Sequence, residues 1–531
     1  MLIEQTAEST PRRDILDALW RLGSGRIARL VLLALLALSV ALGTLLPQLP
    51  PAAASDTATA NRWLSTTATR YGMWGRLVRA LDLFDIAHAF WFRLLLSLLA
   101  FHLLLRTAEA AQTVWTTLHS RRPPPIPPDV RQERSVSLPP PLHEAAAAVR
   151  AKLAAHRLRV LMEEETEMAT GFRLYADRAR TGLLGSLLSD AGALLLLAGL
   201  FVNGAWGWQA ADILLAPSQE ISLGHDTGLT LRLEKATPTD TQRLLFLDAG
   251  GQITSRSLGF GRPALYRGIS VHQAGKGPAL MVKGEDEEGQ SLSLQPLTAE
   301  GAAAESVSLI FDQPQAERHL TVPARNLALR IVAHPGPPEG QPAFLVQVYQ
   351  GGRSDPLLDT LISGEKVLQV AGARFRFQPQ RYAVLQVVHA PGLALLLVGG
   401  LLLLIGAISP LLWPALQVWA ELIPERRAVR VQLAGRTQRP EGAEEELALL
   451  VQAIKGTEPA AETAPKATRR ERLLRWALAL AYPCLTAALL VGLLWRYVVW
   501  GQPWRWTWVE GSSFIAWLAT IAALQLTQRG W

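Results

Sequence analysis

A single cysteine, Cys484, occurs in the 531 residues, and it sits inside an apolar run. A disulfide within the chain is therefore excluded, and so is a thiolate metal cluster. No phosphate-binding glycine loop is found, which argues against nucleotide chemistry. A small-residue cleavage site is also missing after the first apolar run, which ends in "LGTLLPQLP". That run, beginning near Leu30, reads as a retained span rather than a cleavable signal. What the chain has in abundance is apolar surface: 49% of its residues are hydrophobic. The net charge of +7 would raise nucleic acid as a partner in a soluble protein. Here the arginines flank the apolar runs, as membrane topology requires, and no nucleic-acid partner is expected.

Six runs have the length and composition of membrane helices, at roughly 28–48, 87–106, 183–206, 391–414, 474–499 and 512–527. Helix is the expected conformation because a helix satisfies its own backbone groups in hydrocarbon. The fold class is thus a multi-span α-helical membrane protein with a β-rich domain between spans 3 and 4. Arg12, Arg13, Arg21, Arg26 and Arg29 precede the first span. Arg106, Arg121 and Arg122 follow the second, Arg178 and Arg180 precede the third, and Arg426, Arg427 and Arg430 follow the fourth. Arg469, Arg470, Arg472 and Arg475 precede the fifth. Placing all of these in the cytoplasm puts both termini inside a cell (inner) membrane, and outvotes Arg62, Arg70, Arg76 and Arg79 in the first outer loop.

The resulting organisation is a cytoplasmic tail at 1–27, spans 1–3 over 28–206 with a cytoplasmic loop at 107–180, and an extracytoplasmic domain at 207–388. Span 4 follows at 389–414, then a cytoplasmic linker at 415–473 and two final spans at 474–531 with an outer Trp-rich loop. The 207–388 stretch holds short alternating runs such as "LTLRLEKA", "RLLFLDA", "LALRIVA", "FLVQVYQ" and "ARFRFQP", separated by Gly, Pro and Asp. These predict an antiparallel sandwich or curved sheet with a buried face. The loop 107–180 carries a stiff "RRPPPIPPD" linker and a helical "LHEAAAAVRAKLAAHRL". The loop 415–473 is polar, rich in Ala and Glu, and reads as partly disordered.

Ten histidines are the natural donors for chemistry in such a chain. His88 and His389 fall at the outer mouths of the second and fourth spans, where two imidazoles from different helices can reach one bound group. The competing reading is a pair of interfacial residues bonded to water or backbone. His102 lies deeper in its span. His225, His272, His319 and His334 are scattered without metal-ligand spacing and read as surface or turn residues, so no metal site is expected. Asp190, inside the third run, needs a partner, a proton or water access unless it lies at the interface. Trp495, Trp500, Trp504, Trp506, Trp508 and Trp517 cluster near the C-terminus. They suit either an interfacial aromatic belt or a surface for a planar porphyrin. Trp500, Trp504 and Trp508 would line one face of a surface helix.

Several stretches together resemble the ResB family of cytochrome c biogenesis proteins (System II). They are "LGTLLPQ" at Leu42–Gln48, "LDLFDIAHAFWFRLLLSLLAFHLLL", "RTGLLGSLLSDAGALLLLAG", "PALYRGISVHQAG" and "YAVLQVVHAPGLALLLVGGLLLLIG", in the family's order, covering about residues 15–415. The tail, "WGQPWRWTWVEGSSFIAWLATIAALQLTQRGW", resembles a degenerate WWD segment of the CcsA/ResC family, the usual partner of ResB. Trp500, Gly501, Trp504, Trp506, Glu510, Trp517 and Leu518 fall on that pattern. Thr507 stands where the pattern has Asp, Gln525 where it has His, and Asp190 where ResB proteins often carry His.

The resemblance implies a cytochrome c maturation factor, a membrane chaperone for heme delivery and apocytochrome c presentation with a CcsA/ResC-type membrane partner. It is expected to have no catalytic residues of its own, any attachment activity belonging to the complex. His88 and His389 are the candidates nearest heme, and Trp500, Trp504 and Trp506 the porphyrin-facing surface. The alternative is a structural membrane subunit of ResB fold that has lost heme ligation, which Asp190, Thr507 and Gln525 favour. The last two spans read as an addition separate from the first four.

Overall fold

Each of the six apolar runs is a helix, as the cost of unpaired backbone groups in hydrocarbon demands. The computed structural model describes residues 25–50, 53, 56–119, 122–124, 126, 133–165, 171–234, 242–297, 302–313, 315–334, 342–351, 353–438, 443–455 and 469–527. Arg12, Arg13, Arg21, Arg121, most of the Pro-rich linker and residues 456–468 lie outside the described residues. The helices are α1 (Arg26–Leu45), α2 (Thr57–Thr69), α3 (Gly75–Ala80), α4 (Phe90–His119), α5 (Leu142–Ala155), α6 (Leu184–Trp206), α7 (Leu393–Leu412), α8 (Ala443–Lys455), α9 (Arg469–Trp500) and α10 (Trp508–Thr527). The spans fall on α1, α4, α6, α7, α9 and α10. Helix α4 has 30 residues, about 45 Å at 1.5 Å per residue, so it outruns a hydrocarbon core of about 30 Å. The second run therefore continues well past residue 106, and Arg106 lies within a helix rather than beyond its end.

Helices α6 and α7 run antiparallel in close contact, and their sequences show why. Gly185, Gly192 and Gly199 repeat every seven residues on α6, and Gly392, the N-cap of α7, does the same with Gly399 and Gly406 on the helix itself. The rows meet in reverse order: Gly192 faces Gly399 and Leu403, Gly185 faces Gly406 and Ser409, and Gly199 faces Gly392 and Leu396. Small residues let backbones approach where lipid supplies no hydrophobic drive, and a seven-residue repeat keeps the seam facing its partner.

The strands, in chain order, begin with β1 (Glu133–Leu138), β2 (Arg159–Glu165) and β3 (Gly171–Arg178). Between α6 and α7 come β4 (Trp208–Leu215), β5 (Glu220–Ser222), β6 (Leu229–Leu233), β7 (Gln242–Asp248), β8 (Ile253–Leu258), β9 (Ala264–Tyr266), β10 (Ile269–Asp286), β11 (Gln295–Pro296) and β12 (Ser306–Ile310). That group continues with β13 (Glu317–Val322), β14 (Leu327–His334), β15 (Ala343–Gln350), β16 (Leu358–Ile362), β17 (Lys366–Val370) and β18 (Ala373–His389). After α7 follow β19 (Leu416–Pro424) and β20 (Val429–Thr437).

The β-rich domain is built on one long antiparallel pair. Strands β10 and β18 run together from Ile269↔His389 to Asp286↔Ala373, with a bulge between Gln273 and Gly275. Since His389 leads into α7, the Ile269 end of the pair is the one next to the membrane helices. There Val271, Leu385 and Val387 form one core with Leu231, Leu244 and Phe246 from the β5–β8 sheet. At the far end Leu280, Val282, Phe375 and Phe377 form a second core with Leu329, Ile331 and Phe344 from the sheet of β11 and β13–β16. Two sandwich-like lobes thus share one spine, each with the alternating burial its sequence predicts, as in the alternately buried and half-buried residues of β6.

A second domain sits at the opposite end of α6 and α7. It is a five-stranded antiparallel sheet in the order β1-β20-β19-β3-β2, covered by α5 and α8. Its halves come from segments far apart in the chain. Residues 416–455, expected to be linker, supply two strands and a helix. Their polar, Ala- and Glu-rich sequence hides the alternation of Leu416, Val418, Ala420 and Leu422, all buried against α5 and β3. Arg178 and Glu446 tie the two halves at 2.9 Å.

Candidate functional site

The sequence stretches singled out above pair up: Gln48 joins the turn that carries His88, and the Arg267–Gly268 turn joins His389. His88 closes a single 3-10 turn, Ile86–His88, immediately before α4. The turn is anchored by fully buried Ile86 and by Phe84, which packs against Trp63 and Tyr71. Gln48, the last residue of "LGTLLPQ", braces it: the side-chain oxygen accepts from the Ile86 N–H at 3.2 Å, and the amide donates to the Leu83 carbonyl at 3.0 Å. The His88 Nδ1 lies 2.7 Å from the Asp85 carboxylate. This hydrogen bond raises the His88 pKa above the ordinary imidazole value, against the opposing effect of desolvation.

His389 ends β18, one step before α7. Its Nδ1 is 3.2 Å from the Gly268 carbonyl oxygen. Gly268 belongs to the two-residue turn Arg267–Gly268 between β9 and β10, where φ is +47° and +77°. Two positive φ values define the tight hairpin turn whose twist matches its strands. The "YRG" of the sequence is this turn, and it delivers a carbonyl to His389. A carbonyl or carboxylate oxygen only accepts here, so Nδ1 carries the hydrogen in both histidines. In the neutral ring Nε2 then presents its lone pair. That tautomer, fixed by a carboxylate or a backbone carbonyl, is the one metal-ligating imidazoles use. The two rings stand on separate supports: α4 and α7 each pack on α6 with their N-termini at the β-domain end.

The Trp208 indole gathers two imidazoles. His225 stacks on it at 4.4 Å and 11°, and His389 lies at 6.0 Å and 30°. By spacing alone His225 is an ordinary turn residue. It is in a turn, at φ +49°, but β4 brings its partner indole to the His389 strand. Nothing in local spacing announces a contact between residues so far apart in the chain.

His272 departs furthest from expectation. It is 1% exposed, not a surface residue, because it lies on β10 beneath the end of α9. Its Nδ1 is 3.0 Å from the Val498 carbonyl and its Nε2 is 3.0 Å from the Ser270 hydroxyl. The Tyr497 hydroxyl lies 3.3 Å from the same Ser270 oxygen. With a neutral ring, Nδ1–H donates to the Val498 carbonyl, and the one Ser270 hydroxyl hydrogen is shared between Nε2 and the Val388 carbonyl oxygen at 3.3 Å. Burial pushes the His272 pKa below the ordinary value and favours this neutral ring. Gly501, at φ +68°, passes so close that any Cβ there would meet the His272 ring at 2.8 Å.

The Trp-rich segment is not a surface helix. Helix α9 stops at Trp500, residues 501–507 are irregular, and α10 starts at Trp508, so Trp500, Trp504 and Trp508 do not share a helical face. The breaks are Gly501 with positive φ and Pro503 two residues on. Trp500 meets Phe260 edge-on at 5.4 Å. Trp504 packs on Trp506 and Phe514, and Trp506 covers Gly43 of α1 so closely that a side chain at position 43 would overlap its ring. Glu510 pins the loop: its carboxylate is 2.7 Å from Arg496 Nη1 and accepts from the Arg505 N–H at 3.1 Å. Thr507 caps α10, its hydroxyl accepting from the Glu510 N–H at 3.4 Å. Asp and Thr are both favoured at that position, so the Asp-to-Thr departure keeps the cap. Thr507→Ala is expected to lower thermal stability by about 1 kcal/mol without changing the number of spans, measured by melting of the purified chain. The last two helices pack on the rest of the chain. They are held to α1 through Gly43 and Thr44 and to β10 through His272.

Within the membrane region the other two departures meet. Asp190 on α6 pairs with Arg106 Nε on α4 at 3.2 Å. Gln525 on α10, with its amide oxygen turned inward, accepts from the Arg29 guanidinium on α1 at 2.6–3.3 Å. Arg29 in turn lies within electrostatic reach of Asp190, Arg106 and Tyr482. The carboxylate is therefore satisfied by an ion pair. Heme iron does not fit these two positions, because one is a carboxylate and the other an amide oxygen, and both are engaged by guanidinium. It does fit the imidazoles of His88 and His389, whose Nε2 atoms are left as electron-pair donors. His102 is buried on α4.

Two protein-family models match the chain, and they overlap over residues 387–448. The model of the ResB-like family matches residues 26–228 and 235–448. The model of the cytochrome C assembly protein family matches residues 387–531. Among curated proteins, none matches the chain significantly.

Proposed function

Because the chain belongs to the ResB-like family and carries a cytochrome C assembly segment at its C-terminus, we propose that it holds heme at the β-domain end of its helix bundle for delivery to apocytochrome c. The supporting observation is the pair of imidazoles at that end, each with Nδ1–H on a fixed acceptor and Nε2 free to bind iron. Bound heme would supply the iron-centred redox chemistry and the vinyl groups for attachment. His88 and His389 would act as donors held in orientation by Asp85 and Gly268. Trp500, which meets Phe260 of the β-rich domain, would offer the porphyrin an aromatic wall, with Trp504 and Trp506 holding the loop on α1. The β-rich domain would present the apocytochrome, and attachment would belong to the complex with a CcsA/ResC-type membrane partner. The arginine distribution supports a cell-membrane orientation with the small α+β domain and both termini in the cytoplasm and the β-rich domain outside.

The visible spectrum of the chain purified from membranes, with and without its partner, tests this. A Soret band lost in His88→Ala and in His389→Ala is expected. Protonated imidazole cannot ligate, so heme occupancy should fall as pH drops through the raised His88 pKa, and Asp85→Asn should move that inflection to lower pH. No Soret band in either preparation, with cytochrome c maturation unchanged on deletion, would sink the reading. It would leave a structural subunit of ResB fold, which the engagement of Asp190 and Gln525 by arginine supports.

A further inference from the structure

Among the described residues, the polar cluster between the helices holds more positive charge and more donors than it can satisfy. Arg29, Arg106, Asp190, Tyr482 and Gln525 come from α1, α4, α6, α9 and α10, and Tyr482 reaches Ser189 beside Asp190. Two guanidiniums, permanently charged, face one carboxylate. Three nitrogens of Arg29 converge on the single amide oxygen of Gln525, which has two lone pairs and no charge. The Asp190 carboxylate is spent on Arg106. An anion rich in oxygens would relieve both shortages at once.

Depth and access select the kind of anion. Arg29 lies two residues inside the start of its span at Ile27, and Gln525 one residue before the end of its span at Leu526. Both mark the level where the helices leave the hydrocarbon, on the side of the small α+β domain. Arg106 remains 30% exposed at its side chain while Asp190 is 6% exposed, so the cluster is reached from the Arg106 side and the carboxylate is closed in. Phospholipid phosphates lie at that level, and basic pockets between spanning helices bind anionic head groups.

We propose that Arg29 and Arg106 form a binding site for the phosphate of an anionic phospholipid, seated between α1 and α4 in the leaflet on the side of the small α+β domain. The lipid supplies the charge and oxygens the cluster lacks, and it bridges the first span to the helices that carry Asp190 and Gln525. The site is independent of the outer imidazoles, so its fate and that of the heme reading separate experimentally.

Native mass spectrometry of the full chain in detergent is the test, after delipidation and titration with phosphatidylglycerol, phosphatidylcholine or inorganic phosphate. Phosphatidylglycerol should be retained in preference to the other two. Arg29→Gln should weaken its retention about fivefold, the effect of one basic residue at a membrane surface. Asp190→Asn removes the counter-charge and should tighten retention, a change that damage to the fold would not produce. Equal retention of phosphatidylglycerol by wild type and Arg29→Gln overturns the proposal, as does weaker retention by Asp190→Asn. Equal retention of phosphatidylcholine overturns it too, and saturation by inorganic phosphate alone would assign the site to a free ion instead.

Discussion

Gly399→Leu is expected to abolish the folded membrane core, giving a chain that aggregates on size exclusion where wild type elutes as a single species. A methyl group alone at position 399 would sit 2.8 Å from the Gly192 carbonyl oxygen, 2.8 Å from the Leu196 backbone nitrogen and 3.0 Å from the Leu195 Cβ. Two of these neighbours are backbone atoms of a helix and cannot rotate away. The helices would have to separate, and with them the matching pairs Gly185–Gly406 and Gly199–Gly392 on either side. Gly399→Ala should therefore cost on the order of 1–3 kcal/mol, the usual range for overpacking, seen as a lowered melting temperature. Leu adds three more heavy atoms to a gap that does not admit one. The consequence reaches both domains, because α6 and α7 are the two rods that join them. By contrast Gly204, where an added Cβ would meet nothing within 4 Å, should accept Ala with little change.

The glycine rows also mark how far the sequence could be read. Six runs long and apolar enough to span were visible because their signal is local: each is decided within about 20 residues. The β-rich domain was visible for the same reason, from alternation within single strands. What could not be read was whatever joins distant segments. Strands β10 and β18 are 18 and 17 residues long, yet only parts of them alternate cleanly, since their halves serve two different cores and a bulge interrupts the register. The second domain was invisible because its strands come from both sides of the membrane helices, and β19 looked like linker until β3 was beside it. The site divides in the same way. The placement of His88 and His389 at the mouths of spans was legible from position alone. Their Nδ1 acceptors were not, because Gly268 is far in sequence from His389, and Asp85 is an ordinary neighbour until the 3-10 turn brings it to 2.7 Å. His225 and His272 carried no spacing signal, being recruited by β pairing to Trp208 and by the end of α9. Asp190 did announce a need for a partner, which only the packing of α4 on α6 identified as Arg106.

His272→Leu is expected to release the Trp-rich loop from the β-rich domain while leaving the six spans in place. The substitution removes the donor to Val498 and leaves that carbonyl without it in a site that is 2% exposed at Ser270 and at Val499, while Ser270 keeps the Val388 carbonyl and the Tyr497 hydroxyl. An orphaned buried group costs about 1–3 kcal/mol, comparable to the docking energy of a short segment. The readout is cross-linking by a short bismaleimide between cysteines placed at Phe260 and Trp500, whose rings are 5.4 Å apart, in a Cys484→Ser background. Wild-type His272 should give rapid cross-linking and His272→Leu at least about tenfold less, since about 1.4 kcal/mol is a factor of ten in the docking equilibrium. The same pair reports the effect of pH. The docked His272 has its pKa depressed by burial, so the docked state binds fewer protons than the released one. Docking is then at full strength above the ordinary imidazole value of about 6.5 and weakens as pH falls from there toward the lowered pKa. His272→Leu should show no such dependence. Because His88 loses its lone pair at higher pH than His272 takes up its proton, acidification is expected to weaken heme binding first and loosen the tryptophan loop second.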